Sequence, residues 1–228
     1  MTALIVIAKE CVAGKVKTRL HPPLSLAEAA HVARLCLTAT LQTGRRMPAT
    51  RRILFFDGDA ANVAGDAHDY EVVRQPAGTL DERLGHVFDL VDEPAVLIGM
   101  DTPQVTPERF AGFFDEWPEG TDAVFGPARD GGFWALGMRS PTGSLVRGVR
   151  MSRPDTGALQ LRRLLAAGLV VRRLPELRDI DTVDDLETVA ASVDLPWASA
   201  VREILDGVAP RRRFGSSAGL SAAGGAAR

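Results

Sequence analysis

The chain has 228 residues, 46% of them hydrophobic, enough to bury one sizeable core and too few for two large domains. Its 27 Lys and Arg stand against 29 Asp and Glu, so no global basic field draws it to nucleic acid or to an anionic membrane, and any anion binding must be local. Cys11 and Cys36 form no Cys-x-x-Cys and have no histidine at ligand spacing, which argues against a zinc site or a dithiol redox motif.

In chain order, the first apolar run, Ala3–Ala8, is followed by Lys9 rather than a small-residue cleavage site. It reads as a buried strand and not as a signal peptide or membrane span, so a cytoplasmic location is expected. A compact basic loop, Lys9 to Leu20, leads to Ser25-Leu26-Ala27-Glu28, a capping box that opens a helix. A second strand is expected at Ile53–Phe56, and Thr79-Leu80-Asp81-Glu82 starts another helix whose Leu80, Leu84, Val87, Phe88 and Val91 share one face. Ala95–Gly99 reads as a central strand, Thr106-Pro107 as a helix start, and Ala123–Phe125 with Phe133–Gly137 as a strand pair around a Gly-rich loop too short for a crossover helix. Asp155 and Thr156 open a helix over Ala158–Ala167 that Gly168 closes, Leu169–Arg173 is a further strand, and Thr182 caps a last helix. The alternation predicts an α/β fold, a three-layer α/β/α sandwich on a mixed, mainly parallel sheet. One catalytic domain is expected over residues 1–206, with a flexible tail over 207–228 where Arg, Gly, Ser and Ala dominate.

The loop after the first strand offers Lys9, Gly14, Lys15, Lys17, Thr18 and Arg19 at one sheet edge. Backbone N–H groups, a hydroxyl and four cations there suit a polyphosphate, although the spacing matches neither the Walker nor the dinucleotide pattern, and a solvated basic loop is the alternative. Asp101 leaves the sheet at the carboxyl end of a central strand, where open α/β sheets bind ligands. Asp181 sits at a second such junction, as a metal ligand or as support for the adjoining helix start. Two hard carboxylates facing a phosphate loop suit Mg²⁺ or Mn²⁺ bridging a nucleotide, with a phosphate as leaving group. Gln75, Gly78 and Arg83 are placed to read a base or ribose and to reach phosphate, or form a solvated helix start. Asp130 with Gly131, Gly132 and Phe133 offers an acid, two glycines and an aromatic wall for an acceptor, or a plain hairpin turn.

Four segments together, Gly14-Lys15-Val16-Lys17-Thr18-Arg19-Leu20, Gly99-Met100-Asp101-Thr102-Pro103, Gly126 to Phe133 and Asp179 to Leu186, resemble a bacterial glycosyltransferase-like family. It belongs to the GT-A nucleotide-diphosphosugar transferase superfamily and is sometimes labelled selenodomain-associated transferase. The resemblance implies a GT-A fold, nucleotide bound by the first loop, Asp101 as a metal-binding acid and Asp181 as a second. It implies glycosyl transfer from a nucleotide-diphosphosugar to a small acceptor. The same superfamily is similar to nucleotidyltransferases that join a nucleoside triphosphate to a phosphorylated small molecule and release pyrophosphate, and a non-catalytic nucleotide sensor is the third reading. Neither base, acceptor nor oligomeric state is legible.

Overall fold

Alternate residues of the first strand, β1 (Ala3–Lys9), enter two different cores. Leu4, Val6 and Ala8 meet Ala33, Leu37 and Leu41 of helix α1 (Leu26–Arg46), whereas Ala3 and Ile5 meet Leu84, Val87 and Phe88 of α2 (Leu80–Asp89). A strand covered on both faces has no polar side, which is why its sequence reads as an unbroken apolar run. The computed structural model describes residues 2–215, with side chains described to residue 208.

Seven strands form one sheet, in the order β3 (Glu71–Arg74), β2 (Arg51–Asp57), β1, β4 (Ala95–Gly99), β6 (Phe133–Met138), β5 (Ala123–Pro127) and β7 (Val171–Arg173). β6 runs antiparallel to β4 and β5, and the other pairings are parallel. The chain winds outward from β1 through β2 to β3, then crosses back to β4 on the other side of β1. The connections therefore diverge between the carboxyl ends of β1 and β4, and a crevice opens there. Helices α3 (Thr156–Ala166), α4 (Val183–Ser192) and α5 (Pro196–Gly215) complete the layers. The outer face of α1, with Val32, Cys36 and Ala39, is covered by Leu186 and Val189 of α4 and by Trp197 and Val201 of α5.

The three capping boxes form as their sequences predict, at Ser25, Thr79 and Thr182. Elsewhere the structure departs from expectation. Thr106-Pro107 opens a 3-10 turn, Pro107–Phe110, instead of an α-helix. Gly112 at φ +91° ends any helical path, and the segment instead seats Phe110 edge-on to Trp134 at 5.6 Å and Phe113 edge-on to Trp117 at 5.0 Å. The edge strand β3 was not expected, since Glu71-Val72-Val73-Arg74 is short and only half buried. The segment expected to begin a tail at residue 207 continues α5 as helix through residue 215, because Val208 lies one heptad beyond Val201 on the stripe that packs against α1 and α4. The remainder of that expected tail, 216–228, lies outside the described residues. Among the described residues, no helix is long and apolar enough to cross a membrane.

Candidate functional site

The basic loop leaves β1 with its hydrophobic residues turned in, Val16 and Leu20 being buried, and its backbone bent by two left-handed residues, Gly14 at φ +79° and Lys17 at φ +49°. A lysine in that conformation carries strain, which persists where surrounding contacts impose it. Those contacts are electrostatic. The Lys17 side chain is 4% exposed, and its Nζ lies 2.6 Å from Asp101 Oδ1 and 3.3 Å from Asp181 Oδ1, while also donating to the Ile180 carbonyl. Burial is the largest influence and pushes the ammonium down, but Asp101 and Asp181 together outweigh it, so its pKa stands above the ordinary lysine value. Arg19, well exposed, reaches Asp181 Oδ2 at 3.3 Å. The loop's central cation, expected to meet phosphate, is thus held by two acids expected to hold metal.

Two cavities meet at the crevice between β1 and β4. A polar one of about 230 Å³ is lined by Lys9, Lys17, Thr18, Arg19, Asp101 and Asp181. A more apolar one of about 290 Å³ is walled by Ile7, Ala8, Leu80 and Met100, with Asp57, Gln75 and Arg83 at its polar side, and it again includes Lys9 and Asp101. Gln75 is fixed by the sheet, its Nε2 donating to the carbonyls of Ala8 and Phe55 at 2.9 Å each, and its Oε1 accepting from Arg83 at 3.3 Å. Arg83 also donates to Asp57 Oδ2 at 2.9 Å and to the Gly78 carbonyl at 3.0 Å. On the expectation that this cavity takes a nucleotide, Arg83→Ala should weaken nucleotide binding about fivefold, the worth of one ordinary hydrogen bond, while its mainly surface contacts leave the melting temperature little changed. Calorimetric titration with a thermal melt checks both.

The third group is acidic. The strap 177–181 is tied to the exit of β4 by Ile180 N–H donating to the Asp101 carbonyl at 2.9 Å. Asp179 and Asp181, two apart on extended chain, point the same way, and together with Asp130 they place carboxylate oxygens within 4.8 Å of one another. Burial first, and then the negative charges of Asp130 and Asp181, push the Asp179 carboxyl up to about 6. Three hard oxygen donors this close are a donor set for a divalent cation, although Asp181 already shares its charge with Lys17 and Arg19. Asp179 was not singled out in the sequence reading, although its spacing to Asp181 carries the signal of their proximity. Asp101, expected as the partner of Asp181 on the metal, lies outside this trio and shares the Lys17 ammonium with Asp181. Asp130 sits in a tight loop where its Oδ1 accepts from Gly132 N–H at 2.7 Å. Gly131 there has φ +89°, and a Cβ on it would lie 1.9 Å from the Pro154 carbonyl oxygen. The Phe133 ring packs on Phe125, centroids 5.8 Å apart, at the core side of the same loop.

Residues 40–153 match a family described as uncharacterized protein conserved in bacteria (DUF2064). No curated protein sequence matches the chain. Among solved structures, a Desulfovibrio desulfuricans G20 protein provisionally named a nucleotide-diphospho-sugar transferase is 26% identical, with a TM-score of 0.80 over 92% of this chain and 97% of that one. A Methanothermobacter nucleotidyl transferase (17% identical, TM-score 0.52, 83% of this chain and 95% of that one) shares the fold more distantly. So does a cytidylyltransferase from Leptospira borgpetersenii serovar Hardjo-bovis (12%, 0.52, 97% and 99%). The mixed, mainly parallel sheet with helices on both faces is the fold of this group of transferases.

Proposed function

The chain belongs to the DUF2064 family of uncharacterized bacterial proteins, and we propose that it is a metal-dependent transferase acting on a nucleotide-activated donor, transferring a glycosyl group from a nucleotide-diphosphosugar to a small acceptor. The observation that carries this reading is the pair of joined cavities at the β1/β4 crevice, an apolar slot opening into a polar chamber with Lys9 and Asp101 at the junction. A base and ribose need a slot with apolar walls and a few fixed polar groups, which Leu80, Met100, Gln75 and Arg83 supply. Phosphates need cations and hydroxyls, and Lys9, Thr18 and Arg19 line the chamber. The provisional name of the Desulfovibrio protein points the same way.

Lys17 bears on the choice of donor. Counted by sequence, the loop carries enough positive charge for a triphosphate. With Lys17 neutralised by Asp101 and Asp181, the charge left for a ligand is closer to the need of a diphosphate. Asp130, Asp179 and Asp181 would hold the cation, Mg²⁺ or Mn²⁺, whose charge would offset that developing on the departing phosphate. Asp101 holds Lys17 beside the phosphates.

Calorimetric binding of nucleoside diphosphates, triphosphates and nucleotide-diphosphosugars, each with Mg²⁺ or Mn²⁺ and again with chelator, tests the reading. The expected result is metal-dependent binding of a sugar-linked diphosphate of one base, and release of nucleoside diphosphate once an acceptor is present. Preference for a triphosphate with pyrophosphate release would replace glycosyl by nucleotidyl transfer. Absence of binding by every compound would overturn both.

A further inference from the structure

On the other side of the strap 177–181 from the acids lies a cavity of about 410 Å³ that the nucleotide reading does not use. Its wall brings together three arginines distant in sequence: Arg109 from the 3-10 turn, Arg129 from the β5–β6 loop and Arg178 from the strap. The backbone explains the gathering. Ala128 and Leu177 form a parallel bridge, and Arg129 N–H donates to the Leu177 carbonyl at 2.9 Å, so Ala128-Arg129-Asp130 and Leu177-Arg178-Asp179 run side by side. Along the strap, Asp179 and Asp181 turn to the acid cluster, while Arg178 lines this cavity and Ile180 enters the core beneath α4.

The charges here are poorly compensated. Glu176 also lines the cavity, and Arg178 Nη1 meets Asp185 Oδ1 at 3.2 Å and Thr188 Oγ1 at 3.3 Å. Arg109 and Arg129 have no side-chain hydrogen bond or ion pair among the described residues. Two buried polar atoms are also unpaired. Gln104 is 7% exposed and uses its Nε2 on the Arg178 carbonyl at 2.6 Å, which leaves its buried Oε1 without a donor. Arg178 Nε is buried without an acceptor. Buried polar atoms are ordinarily paired, so a ligand that answers both must bring an acceptor and a donor together.

We propose that this cavity is a binding site for a small oxyanion, a carboxylate or phosphate monoester, that also carries a hydroxyl. Guanidinium forks from Arg109, Arg129 and Arg178 hold the oxyanion, and the hydroxyl donates to Gln104 Oε1. The site does not depend on the nucleotide reading, because it is built from the face of the strap that the nucleotide cleft does not use.

The test titrates the full chain, without metal or nucleotide and in chloride buffer, with glycerol 3-phosphate, D-glycerate and glycerol as calorimetric probes. Saturable binding of one of the anions, with none of glycerol, is expected, and the tighter of the two identifies the oxyanion. Arg109→Gln combined with Arg129→Gln should weaken it at least about tenfold. Neither side chain has a partner among the described residues, so the double variant should fold, and its melt checks this. Gln104→Met should remove the preference for the bound anion over its counterpart without a hydroxyl, methyl phosphate for glycerol 3-phosphate or acetate for D-glycerate. A Lys9→Met/Arg19→Gln variant of the nucleotide cleft should bind the probe as the wild type does. Binding of neither anion at about 10 mM, binding indifferent to the Arg109/Arg129 change, or binding lost in the Lys9/Arg19 variant would overturn the site.

Discussion

Replacing Lys17 with Met should lower the melting temperature by about 4–8 °C at neutral pH, from a loss of about 2 kcal/mol. Removing one member of a buried ion pair costs about 3–5 kcal/mol when the surviving charge is sealed from water. Here the surviving carboxylates of Asp101 and Asp181 are 44% and 36% exposed, so water relieves part of that cost. The Ile180 carbonyl loses its donor, and the left-handed backbone of Lys17 loses the contacts that hold it there. The loss has a pH signature. A lysine whose folded pKa lies above its unfolded value contributes fully below the unfolded value, about 10.4, and loses the contribution as pH rises through the folded one. The gap between wild type and variant should therefore be constant from neutral pH to about pH 10 and close above it. Thermal melts across that range decide the matter. An unchanged melting temperature, combined with tenfold weaker nucleotide binding, would make Lys17 a phosphate ligand first and a structural cation second.

The same lysine shows how far the sequence reaches. Local chemistry is legible: the boxes at Ser25, Thr79 and Thr182 need only hydroxyl and acid three residues apart, and all three helices start where those residues stand. Strand β4 is legible because a run buried on both faces has no competing pattern. What depends on partners is not. Pro107–Phe110 has a helix-start sequence, yet aromatic packing against Trp134 and the turn at Gly112 decide its form. Lys9, Thr18, Arg19, Asp101 and Asp181, singled out in the sequence at strand ends beside a topological switch, line one cavity in the structure. Whether Asp101 faces a metal or Lys17 depends on a contact spanning 84 positions of sequence, which no local pattern encodes. Asp179 is different, since two-residue alternation along the strap places its carboxylate beside that of Asp181, a proximity the spacing already carries.

Asp179→Asn should do two opposite things, stabilise the metal-free protein and end its response to metal. The Asp179 carboxyl is pushed up to about 6, by burial first and then by Asp130 and Asp181, against 3.8 for the free group. Between those values the folded chain retains a proton that the unfolded chain has lost. Stability therefore falls as pH rises from about 4 to 6, and the full penalty stands above pH 6. The group is part exposed, and solvent screening reduces the penalty to about 1 kcal/mol, so the neutral amide should raise the metal-free melting temperature by about 2–4 °C at pH 7.5. In the wild type, Mg²⁺ or Mn²⁺ should reverse the penalty, and this stabilisation should fade below pH 6 as Asp179 takes up its proton. The variant should bind the cation at least about 10–100 times more weakly, the loss that even a residue supporting a metal ligand produces, and turnover should fall with it. Asp101→Asn is the discriminating companion, because a residue that faces Lys17 should leave the cation's stabilising effect in place. If the pattern reverses, with metal response kept in Asp179→Asn and lost in Asp101→Asn, then the cation sits between Asp101 and Asp181, and binding it must displace the Lys17 ammonium from the position it holds in the free protein.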